Sequence, residues 1–225
     1  MSEKKRERER EKNEMSSNEY KVVTIGESSV GKSAIVFRCV HPEEDITGQT
    51  QPTIAVAFAV KRVTTPSGQV VPLNLWDTAG SERFRSITRM YFKGSVAALL
   101  VFSLTSMESF EAATSYWIAE LERHVDPSCC ILLVGNKKDL VEERQVPFER
   151  ASFFAQSRNI PYLEVSAKTG ENIEDMFLTI SQKVVQTQGP PAPVPDKANS
   201  SVPLTIAPVP AAGTPGSPPP SPGCC

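Results

Sequence analysis

The residues best suited to chemistry form a glycine-rich loop in the first fifth of the sequence. Residues 26–33 read GESSVGKS and match the pattern G-x-x-x-x-G-K-S. A short apolar stretch at residues 20–25 precedes the loop, and a helix is predicted after it. Glycine lets a backbone wrap closely around an anion, and backbone amides at the start of a helix then point toward it. The pattern predicts a site for the phosphates of a nucleoside triphosphate.

Two side chains of this loop have specific predicted roles. Lys32 is expected to reach the β- and γ-phosphates, and the Ser33 hydroxyl is expected to ligate Mg²⁺, a hard cation that prefers oxygen. Other residues of the loop are expected to surround the nucleotide. They are Gly26, Ser28, Ser29, Val30, Gly31 and Ala34.

A second polar segment predicts which base is bound. Residues 136–139 read NKKD and follow an apolar run at residues 130–134. The Asp139 carboxylate can accept hydrogen bonds from the N1–H and 2-amino groups of guanine, which adenine cannot supply. Asn136 is expected to bond the purine on its N7 side, and the stem of Lys137 is expected to lie over the base.

A third segment completes the predicted base site. It follows the last strand-like stretch, and one of its backbone amides is expected to donate to the guanine oxygen. The segment consists of Ser166, Ala167 and Lys168. Nucleotides bind at the carboxyl edge of such sheets, where segments of this kind meet.

Two further segments are expected to sense the terminal phosphate. Asp77, in the sequence WDTAG, is expected to hold Mg²⁺, and the Gly80 amide is expected to approach the γ-phosphate. Thr53 is expected to complete the metal shell when GTP is bound. Loss of the γ-phosphate would release both segments, which is an order-to-disorder switch.

The elements that must position these segments alternate in type along the chain. Strands are predicted at residues 20–25, 54–63, 70–76, 96–102, 130–134 and 162–165. Helices are predicted at residues 33–40, 107–123, 148–158 and 172–185. This alternation predicts a mostly parallel sheet that is covered by helices on both faces. We expect the α/β fold of a P-loop NTPase, with three layers (α/β/α) and a six-stranded sheet containing one antiparallel strand.

Composition separates two flanking segments from this domain. Residues 1–18 carry six bases and five acids without an apolar stripe, and residues 188–225 hold 12 of the 19 prolines. Neither segment can bury a core of its own. We predict a globular domain at residues 19–187, between a charged disordered extension and a proline-rich disordered tail. The extension is either a solubilising tail or a partner-binding arm.

Charge and hydropathy exclude several classes of protein. The chain has 24 basic and 26 acidic side chains, a net charge of −2, so no nucleic acid is expected as a partner. No apolar run reaches about 18 residues, so no transmembrane helix is expected. The charged N-terminus predicts no secretory signal. Five cysteines do not make a disulfide framework, and a reducing cytosolic compartment is expected.

These motifs, in this order, resemble those of the Ras superfamily of small GTPases, and its Rab branch in particular. The Rab-like segments are WDTAGSERFRSIT at residues 76–88, YFKG at 91–94, ALLVF at 98–102 and the final Cys224-Cys225. The resemblance covers residues 20–187 plus that dipeptide. It implies a switch that hydrolyses GTP and, when GTP-bound, recruits effectors for vesicle trafficking. The implied effector surface is residues 53–58 and 81–92, with Phe58, Trp76 and Tyr91 as hydrophobic contacts or core residues.

The resemblance also implies partners and a membrane anchor. The expected partners are GTP and GDP, an exchange factor, a TBC-type activating protein, a GDP-dissociation inhibitor, an escort protein and effectors, all acting on a monomer. Cys224 and Cys225 resemble a geranylgeranylation site, and two lipids give stable attachment where one is marginal. The expected location is the cytosolic face of endomembranes, cycling with the cytosol. Two unmodified thiols are the alternative.

Three positions depart from the family pattern. Ser81 stands where the family usually has the Gln that orients the attacking water. Residues 38–57 contain no Phe, Tyr or Trp to cover the guanine ring, which predicts faster GDP release. Ala55 replaces a usual Gly, which weakens the GTP-bound state if that state needs a glycine-only conformation.

Ser81 leaves two interpretations open. Its hydroxyl is shorter than the Gln amide, so it is expected to be a weak catalytic substitute beside Gly80 and to make intrinsic hydrolysis slow. One interpretation is a cycling GTPase whose activating protein supplies the missing groups. The other is a GTP-bound membrane scaffold that hydrolyses slowly or not at all. A P-loop kinase is disfavoured, because the NKKD and Ser-Ala-Lys segments have no role in such enzymes.

Replacing Ser81 with glutamine is expected to raise the intrinsic rate of GTP hydrolysis, because the longer side chain can orient the attacking water. Rates of intrinsic GTP hydrolysis of roughly 10⁻⁴ s⁻¹ are typical of the family. The measurement is single-turnover hydrolysis of bound GTP without an activating protein. An unchanged rate would show that Ser81 does not limit the reaction.

Overall fold

A central sheet organises the part of the chain that the computed structural model describes, which is residues 19–44, 46, 57–78, 91–191 and 205–206. Its strands are β1 (Tyr20–Ile25), β2 (Ala57–Thr64), β3 (Val70–Asp77), β4 (Ala97–Ser103), β5 (Cys130–Asn136), β6 (Tyr162–Glu164) and the two-residue β7 (Thr205–Ile206). The described helices are α1 (Lys32–Val40), α2 (residues 107–124), a 3-10 turn (Val141–Glu143), α3 (Phe148–Ser157) and α4 (Ile173–Gln188).

The strand order confirms the predicted topology. Across the sheet the strands follow the order β6-β5-β4-β1-β3-β2-β7. Five strands run parallel to one another: β6, β5, β4, β1 and β3. Strand β2 runs antiparallel to β3. The six predicted strands are therefore present with one antiparallel member. In addition, β7 pairs antiparallel with Ala57 and Phe58 of β2, in a segment where the sequence predicts no strand.

Strand β4 shows how two helical layers cover the sheet. All of its residues are buried. Because side chains alternate between the faces of a strand, Leu99 and Val101 pack into the cluster formed with α1 and α4. Leu100 and Phe102 pack into the cluster formed with α2 and α3. This arrangement confirms the predicted three layers. Among the described residues, no helix combines the length and the apolar composition needed to cross a membrane.

Helix α2 has the predicted extent but contains a turn that the sequence does not predict. It is α-helical at Met107–Ala112 and Ile118–His124, and π-helical between them at Ala113–Trp117. In the wider turn the backbone N–H of Ile118 donates to the carbonyl oxygen of Ala113. Such turns are rare, and they occur frequently at functional sites.

Candidate nucleotide-binding site

The predicted nucleotide-binding segments meet at one edge of the sheet. The glycine-rich loop follows β1, Asp77 ends β3, Asn136 ends β5, and Ser166 lies just beyond β6. These strands run parallel, so their carboxyl ends share an edge, where α/β sheets bind ligands. Thr53, Gly80 and Ser81 lie outside the described residues.

Two glycines let the loop approach its neighbours more closely than other residues allow. The φ angles of Gly26 and Gly31 are 142° and 94°, a region that side chains disfavour. A Cβ atom on Gly26 would lie 2.0 Å from the carbonyl oxygen of Val101. A Cβ atom on Gly31 would lie 2.2 Å from Asn136 Nδ2. The loop is therefore held against β4 and β5, and its curvature depends on both glycines.

Asn136 joins the glycine-rich loop to the predicted base-binding segment. Its side chain is 2% exposed. Its Nδ2 donates to the carbonyl oxygen of Val30 at 2.9 Å, and its Oδ1 accepts from the amide of Ala167 at 3.1 Å. A buried amide that is bonded at both ends fixes the separation of the two segments. The predicted contact between Asn136 and purine N7 stays a prediction.

The carboxylate of Asp139 is oriented by the neighbouring base-binding segment. Its Oδ1 accepts a hydrogen bond from Ser166 Oγ at 2.6 Å, and Ser166 Oγ accepts from the amide of Thr169 at 3.0 Å. Lys137 has a φ angle of 69°, which turns the chain between Asn136 and Asp139. A carboxylate offers about four lone-pair positions. Asp139 therefore has the capacity to accept guanine donors while Ser166 holds it.

Lys32 lies buried at the start of α1, against the loop that precedes it. Its Nζ donates to the carbonyl oxygens of Glu27 at 2.7 Å and Gly26 at 3.1 Å. Burial lowers the pKa of Lys32 to about 8, while the carboxylates of Asp77 and Glu27 act in the opposite direction. Phosphate groups beside this ammonium would add negative charge and favour its protonated form.

The oxygen ligands predicted for Mg²⁺ fit that ion in their chemistry. Asp77 is buried, and its Oδ1 accepts a hydrogen bond from Thr24 Oγ1 at 3.1 Å, which orients the carboxylate. Thr24 is fixed in turn, because its carbonyl oxygen accepts from Thr78 Oγ1 at 2.6 Å. Ser33 is the second residue of α1 and supplies a hydroxyl. Mg²⁺ is commonly held by one or two carboxylates together with substrate phosphates. Ras-superfamily GTPases generally use this ion.

Arg38 is a site residue that the motifs did not reveal. It is 7% exposed, and its guanidinium donates to three main-chain carbonyl oxygens. Nε reaches Ala167 at 2.8 Å, Nη2 reaches Lys168 at 2.7 Å, and Nη1 reaches Pro42 at 2.6 Å. The rigid fork of an arginine suits such multiple bonding. Arg38 therefore ties the predicted base-binding segment to the chain that leaves α1.

The sequence does hold a signal for Arg38. Residues 32–40 read KSAIVFRCV, and Ile35, Val36 and Cys39 on the same helix are buried. The helical period places Arg38 on that buried face, where a charge needs a partner. The signal indicates a buried arginine but not its partners, which lie 129 and 130 positions away.

Phe58, Trp76 and Tyr91 form one aromatic cluster on the sheet. The ring centroids of Phe58 and Trp76 are 4.3 Å apart in an edge-on contact, and those of Trp76 and Tyr91 are 5.6 Å apart. Lys21 Nζ lies 4.0 Å from the centroid of the Trp76 ring. All three aromatic side chains are half-buried, so they pack together and also contribute to the surface.

A model described as the Ras family matches residues 21–186. The chain belongs to the Ras family. It is 40% identical to Ras-related protein Rab-4B of Rattus norvegicus over 166 residues, which are 74% of this chain and 76% of that protein. It is 39% identical to Ras-related protein RABD1 of Arabidopsis thaliana over 177 residues, 77% of this chain and 84% of that protein.

The predicted resemblance is confirmed, and the chain is a Rab-like small GTPase switch of vesicle trafficking that hydrolyses GTP. The predicted fold class is confirmed as well. The individual contacts predicted for the nucleotide, the metal and the lipid stay predictions.

Replacing Arg38 with lysine is expected to speed GDP release about tenfold or more. Lysine keeps the charge, but its single nitrogen cannot reach the three carbonyl oxygens that Arg38 bonds through three separate nitrogens, and bonds to charged groups contribute about 1.5–3 kcal/mol each. The measurement is dissociation of a fluorescent GDP analogue. Arg158→Lys, at an exposed position, is the matched control. Equal release from wild type and Arg38→Lys would contradict the assigned role.

Proposed function

We propose that the nucleotide of this GTPase is a Mg²⁺-bound guanine nucleotide gripped between Lys32 and Asp139. The observation that carries the proposal is the bridge through Asn136. One buried side chain bonds both the loop with phosphate-binding sequence and the segment with base-binding sequence. A single ligand long enough to carry a base and phosphates would contact both at once.

Different residues of the chain would bind the phosphates, the base and the metal ion. Amides of the glycine-rich loop and the Lys32 ammonium would bind the phosphates, helped by the positive end of α1. Asp139 would accept from the guanine edge, and the segment held by Arg38 would supply a backbone amide to the guanine oxygen. Ser33, Asp77 and Thr53 would hold Mg²⁺, which supplies charge neutralisation at the phosphates.

Recruitment of effectors is the proposed output of this site. The aromatic cluster of Phe58, Trp76 and Tyr91 supports it, because the cluster contributes partly exposed apolar rings to the surface. Trp76 also directly precedes the proposed metal ligand Asp77. A change of the metal shell would therefore reach this surface through one peptide unit. An exchange factor, a TBC-type activating protein and a GDP-dissociation inhibitor are the proposed regulators.

Replacing Asp139 with asparagine is expected to abolish the preference for guanine. The amide presents an N–H where guanine also presents donors, so a pair of hydrogen bonds is lost and a donor is left unpaired. A site built to bond a polar edge discriminates by about 10⁴–10⁵. Calorimetric titration of GDP, GTP and ATP in Mg²⁺ measures the effect. Equal affinity of the wild-type chain for ATP and GTP would contradict the proposed binding of a guanine nucleotide.

Attachment to membranes is proposed to follow geranylgeranylation of Cys224 and Cys225, after delivery by an escort protein. Both residues lie outside the described residues, and the proposal is supported by the pairing of two adjacent cysteines after a proline-rich spacer. Two lipid chains anchor stably, whereas one binds marginally. The proposed location is the cytosolic face of endomembranes, with cycling through the cytosol.

Replacing both Cys224 and Cys225 with serine is expected to move a fluorescently tagged chain entirely to the cytosol. Each single replacement leaves one lipid and is expected to give partial release, because one chain binds only marginally. Imaging in cells measures the distribution. Cys130→Ser serves as the matched control, since that thiol lies in β5. Membrane staining that survives the double replacement would rule out this anchor.

Ser81 favours a second candidate function. A chain that lacks the water-orienting Gln would remain GTP-bound and act as a membrane scaffold. The nucleotide in freshly purified protein separates the two functions. Bound GTP supports the scaffold, and bound GDP supports the cycling switch.

A further inference from the structure

A side chain of helix α2 reaches the glycine-rich loop. The indole Nε1 of Trp117 donates a hydrogen bond to Glu27 Oε1 at 2.9 Å, across 90 positions of sequence. Glu27 is the second residue of the loop, and its carbonyl oxygen accepts from Lys32 Nζ at 2.7 Å. A bond to a carboxylate is charge-assisted and stronger than a neutral one. Contacts therefore run without a break from α2 through Glu27 to the lysine of the loop.

The indole that makes this bond is rigidly held. Trp117 is 2% exposed and belongs to the apolar cluster between the sheet and helices α2 and α3. Its ring packs edge-on against Tyr116, with centroids 5.1 Å apart. A buried ring of this size cannot change rotamer without displacing its neighbours. The donor position is therefore set by the core and not by the loop.

The π-helical turn determines where Trp117 points. Trp117 is the last residue of that turn, so the widening changes its direction relative to a regular helix. Two hydroxyl bonds lie in or beside the π-helical turn. Thr114 Oγ1 donates to the carbonyl oxygen of Phe110 at 2.8 Å, and Ser115 Oγ donates to that of Glu111 at 2.5 Å. Both bonds compete with the regular helical pattern at those carbonyls.

We propose that Trp117 is a positioning residue for nucleotide binding. Its indole holds the side chain of Glu27, and through Glu27 it holds the glycine-rich loop in the curvature that wraps phosphate. The π-helical turn sets the direction in which the indole points. The proposal rests on the proposed binding of a guanine nucleotide at this loop. It adds a contact from outside the motifs, made by a helix to which no motif assigns a role.

The test is a double-replacement cycle that measures the rate of GDP release. Trp117→Phe removes the donor and keeps an aromatic ring, and Glu27→Ala removes the acceptor. Each is expected to speed release about tenfold, and the double variant is expected to show about the same tenfold, because both remove one bond. Phe110→Leu is the control for loss of packing in the same cluster, and it is expected to release GDP at the wild-type rate.

Additive effects in the cycle, or wild-type release from both single variants, would overturn the proposal. If Phe110→Leu speeds release as much as Trp117→Phe, packing alone explains the effect and the proposal is also overturned. Failure of the wild-type chain to bind GDP would instead remove the proposed function, so the two failures are distinguishable.

A second measurement reads the bond directly and does not need nucleotide. The chain has two tryptophans, so nitrogen-labelled indoles give two N–H signals in NMR spectra. The signal that disappears in Trp117→Phe is expected to shift in Glu27→Ala. An unchanged signal in Glu27→Ala would show that the indole does not bond the carboxylate. This arm also remains usable if Trp117→Phe fails to fold, since Trp76→Phe removes the other indole signal and identifies that of Trp117.

Discussion

One buried amide sets the distance on which the site depends. Asn136 bonds the carbonyl oxygen of Val30 on one side and the amide of Ala167 on the other, and it cannot exchange either partner for water. Gly31 is required opposite it, since a Cβ atom there would lie 2.2 Å from the Asn136 nitrogen. The glycine of the loop and the asparagine of β5 are therefore two halves of one contact. Gly31 leaves the space and Asn136 supplies the hydrogen bonds, so both are needed to set the separation of the two segments.

Buried charge is concentrated at the same edge of the sheet. Lys32, Arg38 and Asp77 are all buried there, although burying a charge is unfavourable unless it is bonded. Main-chain carbonyl oxygens satisfy both cations, and a threonine hydroxyl bonds the carboxylate. The fold therefore holds charged groups in place before a ligand arrives. Groups that are already oriented need little rearrangement when phosphate binds, which is the advantage of a preorganised site.

Two supports reach the site from opposite faces of the sheet. Arg38 extends from α1, on the face shared with α4, and holds the segment after β6. Trp117 extends from α2, on the other face, and holds the loop after β1. Both are single side chains anchored in a packed layer. The edge proposed to bind nucleotide is thereby attached to each of the two cores, so its geometry follows the packing of the whole domain.

The binding motifs and the order of strands and helices could be predicted from the sequence alone. The G-x-x-x-x-G-K-S pattern, the NKKD segment and the alternation of apolar strands with helices depend on neighbouring residues, so they predicted the fold and the segments that meet at its edge. The partners of buried polar side chains did not follow from neighbours. Asn136 and Val30 are 106 positions apart, Arg38 and Ala167 are 129, and Trp117 and Glu27 are 90. The π-helical turn was also missed, because the residues of Ala113–Trp117 carry no sequence signal that separates it from a regular helix. Only the packed sheet brings these residues together, because a hydrogen bond needs atoms about 3 Å apart and periodicity says nothing of distance between elements.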